Sequence, residues 1–297
     1  MKRKLIRQYL YILLVLISKI IILLPLPVAL GVGRLFGALA YLLLPKYSKI
    51  AKENLEYAFG SEKSLQEINE IAFNVFCNLG MNAVEALSIP KIKRHPDKTI
   101  YSAGFEKIDE ALKQQKGVII LSAHFGNWEL LPVYFVSKGY SSNIIARRLY
   151  YEKYDKWVRL MREHTGAKVI YREESPRKII EVLKKNELLG IMPDQDIDSL
   201  DGVFVNFFNR PAYTPNAPAA IAMKMGCPML PCFIVREGPL RHKIIIGDPV
   251  PLVNTGNQAE DIIANTQKWS SVVEAYIRKY PEQWVWIHKR WKTRPAQ

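Results

Sequence analysis

The chain has 297 residues, 49% of them hydrophobic, with 42 Lys and Arg against 28 Asp and Glu for a formal charge of +14. That length allows one large α/β domain or two small ones, and the lack of long polar low-complexity tracts sets disorder aside. Three cysteines, Cys77, Cys227 and Cys232, argue against a disulfide scaffold and fit a reducing compartment, with buried apolar thiols expected. The positive excess attracts polyanions: nucleic acid, an anionic leaflet, phosphorylated lipids or an acidic carrier protein.

Apolar residues dominate from Leu10 to Leu44, interrupted by Lys19, the Pro25-Leu26-Pro27 break and Arg34. A spanning helix needs roughly 20 predominantly apolar residues. Ile6 to Leu24 almost meets that, with Lys19 late enough for its ammonium to reach the interface. The Ala38–Ala40 tripeptide mimics a cleavage site, but the apolar stretch before it is too long and too broken for a signal peptide. A buried pair of core helices competes with a membrane anchor, and the anchor is the expectation. The chain then divides into an anchor over residues 1–45 and a folded domain over 46–297. Lys2, Arg3, Lys4 and Arg7 precede the segment and Lys46, Lys49 and Lys52 follow it. The positive-inside rule therefore draws both flanks to the cytoplasm. A hairpin folded at the prolines, or two helices lying in the interface, satisfies both, with the basic collar against anionic lipid.

The body of the chain alternates strand and helix patterns. Strands are expected over 117–123, 143–146, 168–171, 187–192, 202–208, 228–235 and 242–248. Helices are expected from about Trp128 and over 151–164, 176–185, 216–225 and 259–279. Such alternation argues an α/β fold with a mainly parallel sheet flanked by helices. Only the Pro-Leu-Pro region and residues 88–100 look like linkers.

The stretch "GVIILSAHFGNWELLPVYF" runs from a buried strand through Gly126 into a helix and carries His124 and Glu129, five positions apart. On a continuous helix these would diverge by about 140°. With His124 at the strand end and Glu129 in the first helical turn, the carboxylate is able to reach the imidazole, at the helix end that favours negative charge. Carboxyl ends of strands are also where open α/β sheets place ligands. A carboxylate on one ring nitrogen leaves the other free to take a proton, the base-and-orienter half of a triad. No G-x-S-x-G elbow or matching Cys supplies a nucleophile, so a substrate hydroxyl is the candidate. An ordinary strand-end histidine beside a surface glutamate has the same spacing. No H-E-x-x-H supports a zinc site, and neither metal nor cofactor is expected.

The segment "HFGNWE" resembles the H-x4-D/E motif of glycerolipid acyltransferases, in the form typical of the lipid A late acyltransferases. "MPDQDIDSLDGVFVNFFNRPAYT" resembles that family's second block, "PEQWVWIHKRWKTRP" its C-terminal signature and "KENLEYAFG" its Asn-Leu-x-x-x-Phe segment. The likeness runs from about residue 5 to residue 295. It implies His124 as general base with Glu129 as its partner, a fatty acyl thioester donor, usually on acyl carrier protein, and a hydroxyl of a phosphorylated glycolipid as acceptor. The family's Asp-x-Asp-x-Gly reads Asp194-Gln195-Asp196-Ile197-Asp198 here, so the turn after the strand lacks the family's glycine.

Asn127, Arg147 and Asp194 complete the expected site as substrate-binding residues. Arg147 follows the strand over 143–146 at the same sheet edge as His124, where a guanidinium grips a phosphate or thioester oxygen; a solvated Arg147-Arg148 pair is the alternative. Asp194 closes the strand over 187–192, to orient an acceptor sugar or to cap the next turn. Trp284, Trp286 and Trp291 among cations at the C-terminus suit a membrane interface or the core, and no nucleic-acid fold signature accompanies them. The expectation is a membrane-anchored acyltransferase of the bacterial inner membrane, its catalytic domain on the cytoplasmic face. Rival readings are a lysophospholipid, mannolipid or aminolipid acceptor, or a catalytically silent lipid-binding protein.

Overall fold

The computed structural model describes the backbone of residues 2–174 and 176–295, with side chains from residue 6 onward. Two long apolar helices come first, α1 (Lys2–Leu23) and α2 (Leu26–Leu43), divided at Pro25 and followed by α3 (Pro45–Phe59) and α4 (Leu65–Leu87). Among the described residues, both apolar stretches are long enough to cross a bilayer, and only 11% and 22% of them is buried. The basic flank Lys2, Arg3 and Lys4 has its side chains outside the described residues.

α2 lies directly on α4. A Cβ on Gly37 would sit 2.2 Å from the Phe76 carbonyl oxygen, and one on Gly80 would sit 2.1 Å from that of Gly33. Such small-residue seams let two helix backbones touch, so the second half of the apolar segment is packed onto the body of the molecule. At the start of α4, Ser64 and Glu67 form a reciprocal capping box that satisfies otherwise orphaned amides.

Residues 88–100 are no linker. They form the one-turn helix α5 (Ile89–Ile92), a 3₁₀ turn over Pro96–Lys98 and the start of strand β1 (Ile100–Ala103). Pro90 and Pro96 suit the first turns of these pieces, while Ile89, Ile92 and Ile100 are buried. The α/β pattern follows: α6 (Glu106–Leu112), β2 (Val118–Leu121), α7 (Leu131–Ser137), β3 (Ser142–Ala146), α8 (Glu152–Glu163), β4 (Lys168–Tyr171), α9 (Pro176–Lys184) and β5 (Leu188–Ile191). A hairpin of β6 (Gly202–Phe207) and β7 (Arg210–Pro215) precedes α10 (Ala217–Met225), β8 (Met229–Gly238), β9 (Arg241–Ile246) and α11 (Gln258–Lys279).

Seven strands form one sheet in the order β1-β9-β8-β2-β5-β3-β4. All pairings are parallel except β8 with β9, so β9 and β1 run against the other five. The apolar runs of β2, β5 and β8 lie at the centre and are covered on both faces, as their near-continuous hydrophobicity requires. Their carboxyl ends open on one edge, where the candidate site lies.

The two-residue β6–β7 loop places Phe208 and Asn209 at φ 54° and 57°. Both central residues of this tight hairpin turn need positive φ, which is costly for a phenylalanine. Phe208 is held there by its ring contacts with Phe59 and Trp286 and by its N–H donating to Glu274 Oε2 at 2.7 Å.

Candidate active site

The chain leaves β2 at Leu121 and turns at Gly126, whose φ is 57° and whose backbone presses on Ile234; a Cβ there would sit 1.7 Å from the Ile234 carbonyl oxygen. Only glycine fits. The turn is also stitched to the C-terminal signature, since Gly126 N–H donates to the Gln283 carbonyl (2.8 Å) and Val285 N–H to that of His124 (3.1 Å). Trp128–Leu130 then forms a 3₁₀ turn before α7.

His124 Nδ1 lies 2.8 Å from Asp194 Oδ1, and the His124 backbone N–H donates to Asp194 Oδ2 at 2.9 Å. The Trp284 indole N–H donates to the same Oδ2 at 2.8 Å. Asp194 is 2% exposed. Burial alone pushes its carboxyl up, but the His124 imidazole and the N–H donors of Trp284 and His124 outweigh that and hold it below the ordinary carboxylate range. An ionised carboxylate only accepts, so Nδ1 carries the hydrogen, and in the neutral imidazole Nε2 keeps its lone pair. Asp194 therefore faces His124 rather than an acceptor sugar.

The expected contact between Glu129 and His124 is not made. The 3₁₀ start of the helix turns Glu129 toward α8, where Arg162 binds it through Nη2 (2.6 Å) and Nε (3.0 Å). Trp128 stands between the two, its ring edge-on to His124 at 5.2 Å and its N–H donating to Glu129 Oε1 at 3.1 Å. Burial works against the charge of Arg162, but Glu129 more than restores it and raises its pKa.

Asn127, expected to bind substrate, is 1% exposed and gives its amide to Glu85 Oε2 (2.7 Å) and the Asn82 carbonyl (3.3 Å). Arg147 lies exposed just beyond β3, while Arg148 stacks over Tyr171 at 4.1 Å. Sequence reasoning missed Arg162, which stands 38 residues from His124 on a helix with no motif around it. The exposed Asp198, where the family motif has glycine, pairs with Lys292 at 3.0 Å.

Beside the dyad, an apolar cavity of about 60 Å³ lies between α7 and the sheet. Its lining begins with Ser122, Trp128, Glu129 and Arg162 and continues along β2, β5 and β3 past Ile120, Ile144 and Leu188. From Ser122 back to the level of Val118, which is paired with Leu188, is four residues, roughly 13 Å of strand. Trp128 lines the cavity and packs against the His124 ring, so the imidazole lies next to an apolar slot.

A family model described as bacterial lipid A biosynthesis acyltransferase matches residues 1–293. The chain is 28% identical over 288 residues to the lipid A biosynthesis palmitoleoyltransferase of Escherichia coli K12, covering 92% of this chain and 88% of that protein. It is 28% identical over 287 residues to the lipid A biosynthesis lauroyltransferase of the same strain, covering 93% and 89%. It is also 27% identical over 206 residues to the phosphatidylinositol mannoside acyltransferase of Mycobacterium tuberculosis H37Rv, covering 68% and 62%. The protein is an acyltransferase and belongs to the bacterial lipid A biosynthesis acyltransferase family.

Proposed function

We propose that this acyltransferase moves a fatty acyl chain from an acyl thioester on acyl carrier protein to a hydroxyl of a lipid A precursor, a phosphorylated glycolipid. The observation that carries the reading is the His124–Asp194 dyad beside the apolar cavity, joined to it by Trp128. The chain seats in the cavity with its thioester carbonyl at the mouth. His124 Nε2 takes the proton of the acceptor hydroxyl as its oxygen attacks that carbonyl. The tetrahedral intermediate collapses by breaking the C–S bond, and the departing thiolate recovers the proton from His124. Asp194 fixes the tautomer and balances the transient imidazolium. Glu129 and Arg162 act at the entrance as a neutralised pair, where the guanidinium presents N–H groups to thioester or phosphate oxygens. The charge of +14 suits an acidic carrier and a phosphorylated acceptor.

We further propose that residues 1–45 hold the enzyme on the cytoplasmic face of the inner membrane, ahead of a catalytic domain over 46–297. Ile6, Leu10, Leu13, Leu16, Leu39 and Leu43 are exposed on α1 and α2. The lie of α1 supports an interfacial or hairpin anchor over a single pass. Near its start, Gln8 accepts from Tyr151 (3.1 Å) and Lys153 (2.6 Å) of the α8 region. Near its end, Ile21 packs with Val84 of α4. Those points are 13 residues apart, about 20 Å of helix, and both rest on the same body.

Detergent-solubilised enzyme given radiolabelled acyl carrier protein and a panel of acceptors tests the reading. Transfer to the lipid A precursor is expected. Transfer only to a lysophospholipid or mannolipid would replace the acceptor, and transfer to none would defeat the assignment.

A further inference from the structure

A buried ionic cluster that takes no part in the chemistry above converges on the catalytic turn. Glu85 of α4 is fully buried and accepts four hydrogen bonds. Oε1 takes Arg236 Nη1 and His242 Nε2, both at 2.8 Å, and Oε2 takes Arg236 Nη2 at 2.6 Å and Asn127 Nδ2 at 2.7 Å. Arg236 Nη2 also reaches Asn82 Oδ1 at 2.8 Å, and Asn82 Nδ2 donates to the Gly126 carbonyl at 2.6 Å. Gln283 brackets the Arg236 backbone, accepting its N–H (2.8 Å) and donating to its carbonyl (3.0 Å), while its own carbonyl holds Gly126 N–H.

Both backbone polar groups of Gly126 and the side chain of Asn127 are thus tied to one set of buried charges. Apolar residues of the same volume would stabilise the fold at least as well, because desolvating ions offsets most of their attraction. With a buried His242 Nδ1 left without a partner among the described residues, the rest of this hydrogen-bonded network still selects one arrangement of the groups it touches. The group it touches here lies two residues from the reacting imidazole.

We propose that Glu85, acting through Asn127 and Asn82, is a positioning residue for acyl transfer. It fixes the turn over residues 124–127 and with it the place and tilt of the His124 ring against Asp194. The inference rests on the reading of His124 as the base. A misplacement of about 1 Å in a reacting group lowers rate roughly 100-fold, so loosening this anchor lowers turnover while substrate binding, made elsewhere, persists.

The test uses full-length enzyme in detergent and the variants Asn127→Ala, Glu85→Gln and their double. Each single is expected to lower kcat about 10- to 100-fold, with KM for both substrates within about threefold. The double should lose no more than the worse single, because both cut the same link. The Nδ1 proton resonance of His124, followed by selective histidine labelling, should shift or broaden in each variant, a change that loss of global stability alone does not produce. Asn127→Ala leaves Glu85 its bonds to Arg236 and His242, so it carries the test even if Glu85→Gln fails to fold. Asn127→Ala with wild-type kcat, or with an unmoved His124 resonance, overturns the proposal. So does a double variant whose loss is the product of the two singles. A His124→Ala enzyme that keeps turnover defeats the base assignment itself, and is told apart by leaving the coupling between the two network variants without meaning.

Discussion

Trp284 and His124 share one oxygen: Oδ2 of Asp194 accepts the indole N–H at 2.8 Å and the histidine backbone N–H at 2.9 Å. The second oxygen is left for the imidazole. The carboxylate that orients the ring is therefore aimed by the C-terminal signature from one side and by the catalytic turn from the other. Trp284→Phe keeps the packing but leaves a buried acceptor short of a donor, at a cost of about 1–3 kcal/mol. Its kcat should fall about tenfold with the fold intact, measured by acyl transfer alongside thermal melting.

The dyad predicts a ranking among carboxylates. His124→Ala should lower turnover about 10²- to 10⁴-fold, and Asp194→Asn should approach it, because an amide can stabilise the wrong tautomer. Glu129→Gln should instead weaken the grip on Arg162 and raise KM for the donor more than it lowers kcat. Steady-state kinetics on the three variants checks the order. If Glu129→Gln matched His124→Ala in kcat while Asp194→Asn stayed active, the orienter would be Glu129 after all.

No covalent acyl-enzyme should form. Cys77, Cys227 and Cys232 are all buried, and burial pushes the Cys227 thiol up to about 11, far from a reactive thiolate. Both substrates must then be bound together. Quenching the enzyme with radiolabelled donor alone and looking for protein-bound label checks this; a stoichiometric adduct would mean a nucleophile elsewhere.

Acid should loosen the catalytic turn. Burial raises the Glu85 carboxyl, but His242 and Arg236 overcome it and bring it from an ordinary 4.5 to about 2. A carboxyl depressed that far contributes on the order of 3 kcal/mol of stability. The contribution is complete above about pH 4.5 and fades as pH falls toward about 2, where the folded state also takes the proton. Urea unfolding between those limits should show a steeper loss for the native chain than for Glu85→Gln. Equal slopes would show that another group governs the acid limb.

The anchor prediction concerns sidedness. Single cysteines at Lys4 and Lys49 in a cysteine-free background should both stay protected from an impermeant thiol reagent in intact spheroplasts, and react after lysis. Labelling at Lys4 alone from outside would make α1 a single pass and contradict its two-ended attachment to α8 and α4.

Much of this was legible in the sequence because periodicity reports burial. The strands over 168–171 and 187–192 and the long helix α11 stand where alternation and apolar runs place them. The stretch 88–100 hid its structure because Pro90, Pro96 and the cations between them mimic a loop, while three isoleucines do the packing. In the site, His124 was visible as a residue at a strand end. Asp194 was legible at the same edge but not as its partner, since it lies 70 positions away in the loop after β5; only the sheet order, with β5 next to β2, brings them together. Glu129 follows from the strand–turn–helix placement and the H-x4-E motif, whereas in the structure the 3₁₀ turn over Trp128–Leu130 sets its carboxylate on Arg162. Asn127 stands in the expected site as a substrate-binding residue, whereas in the structure its amide is bonded to Glu85.

The stitching of the catalytic turn to Gln283 and Val285 sets the order in which the newborn protein becomes competent. Chains emerge N-terminus first, and domains fold as they appear. The apolar helices α1 and α2 are thus exposed while most of the sheet is still unmade. His124 and Asp194 are synthesised early, yet the indole that aims Asp194 follows it by 90 residues, together with the Gln283 and Val285 backbone groups that brace the turn. Asn54 of α3 waits even longer for its partners, the carbonyls of Trp286 (2.7 Å) and His288 (2.6 Å). A ribosome-bound chain therefore presents its apolar helices well before the site around His124 is assembled. A chain halted before Gln283 lacks both the indole that aims Asp194 and the backbone groups that brace the turn, so its His124 stands without its fixed partner geometry.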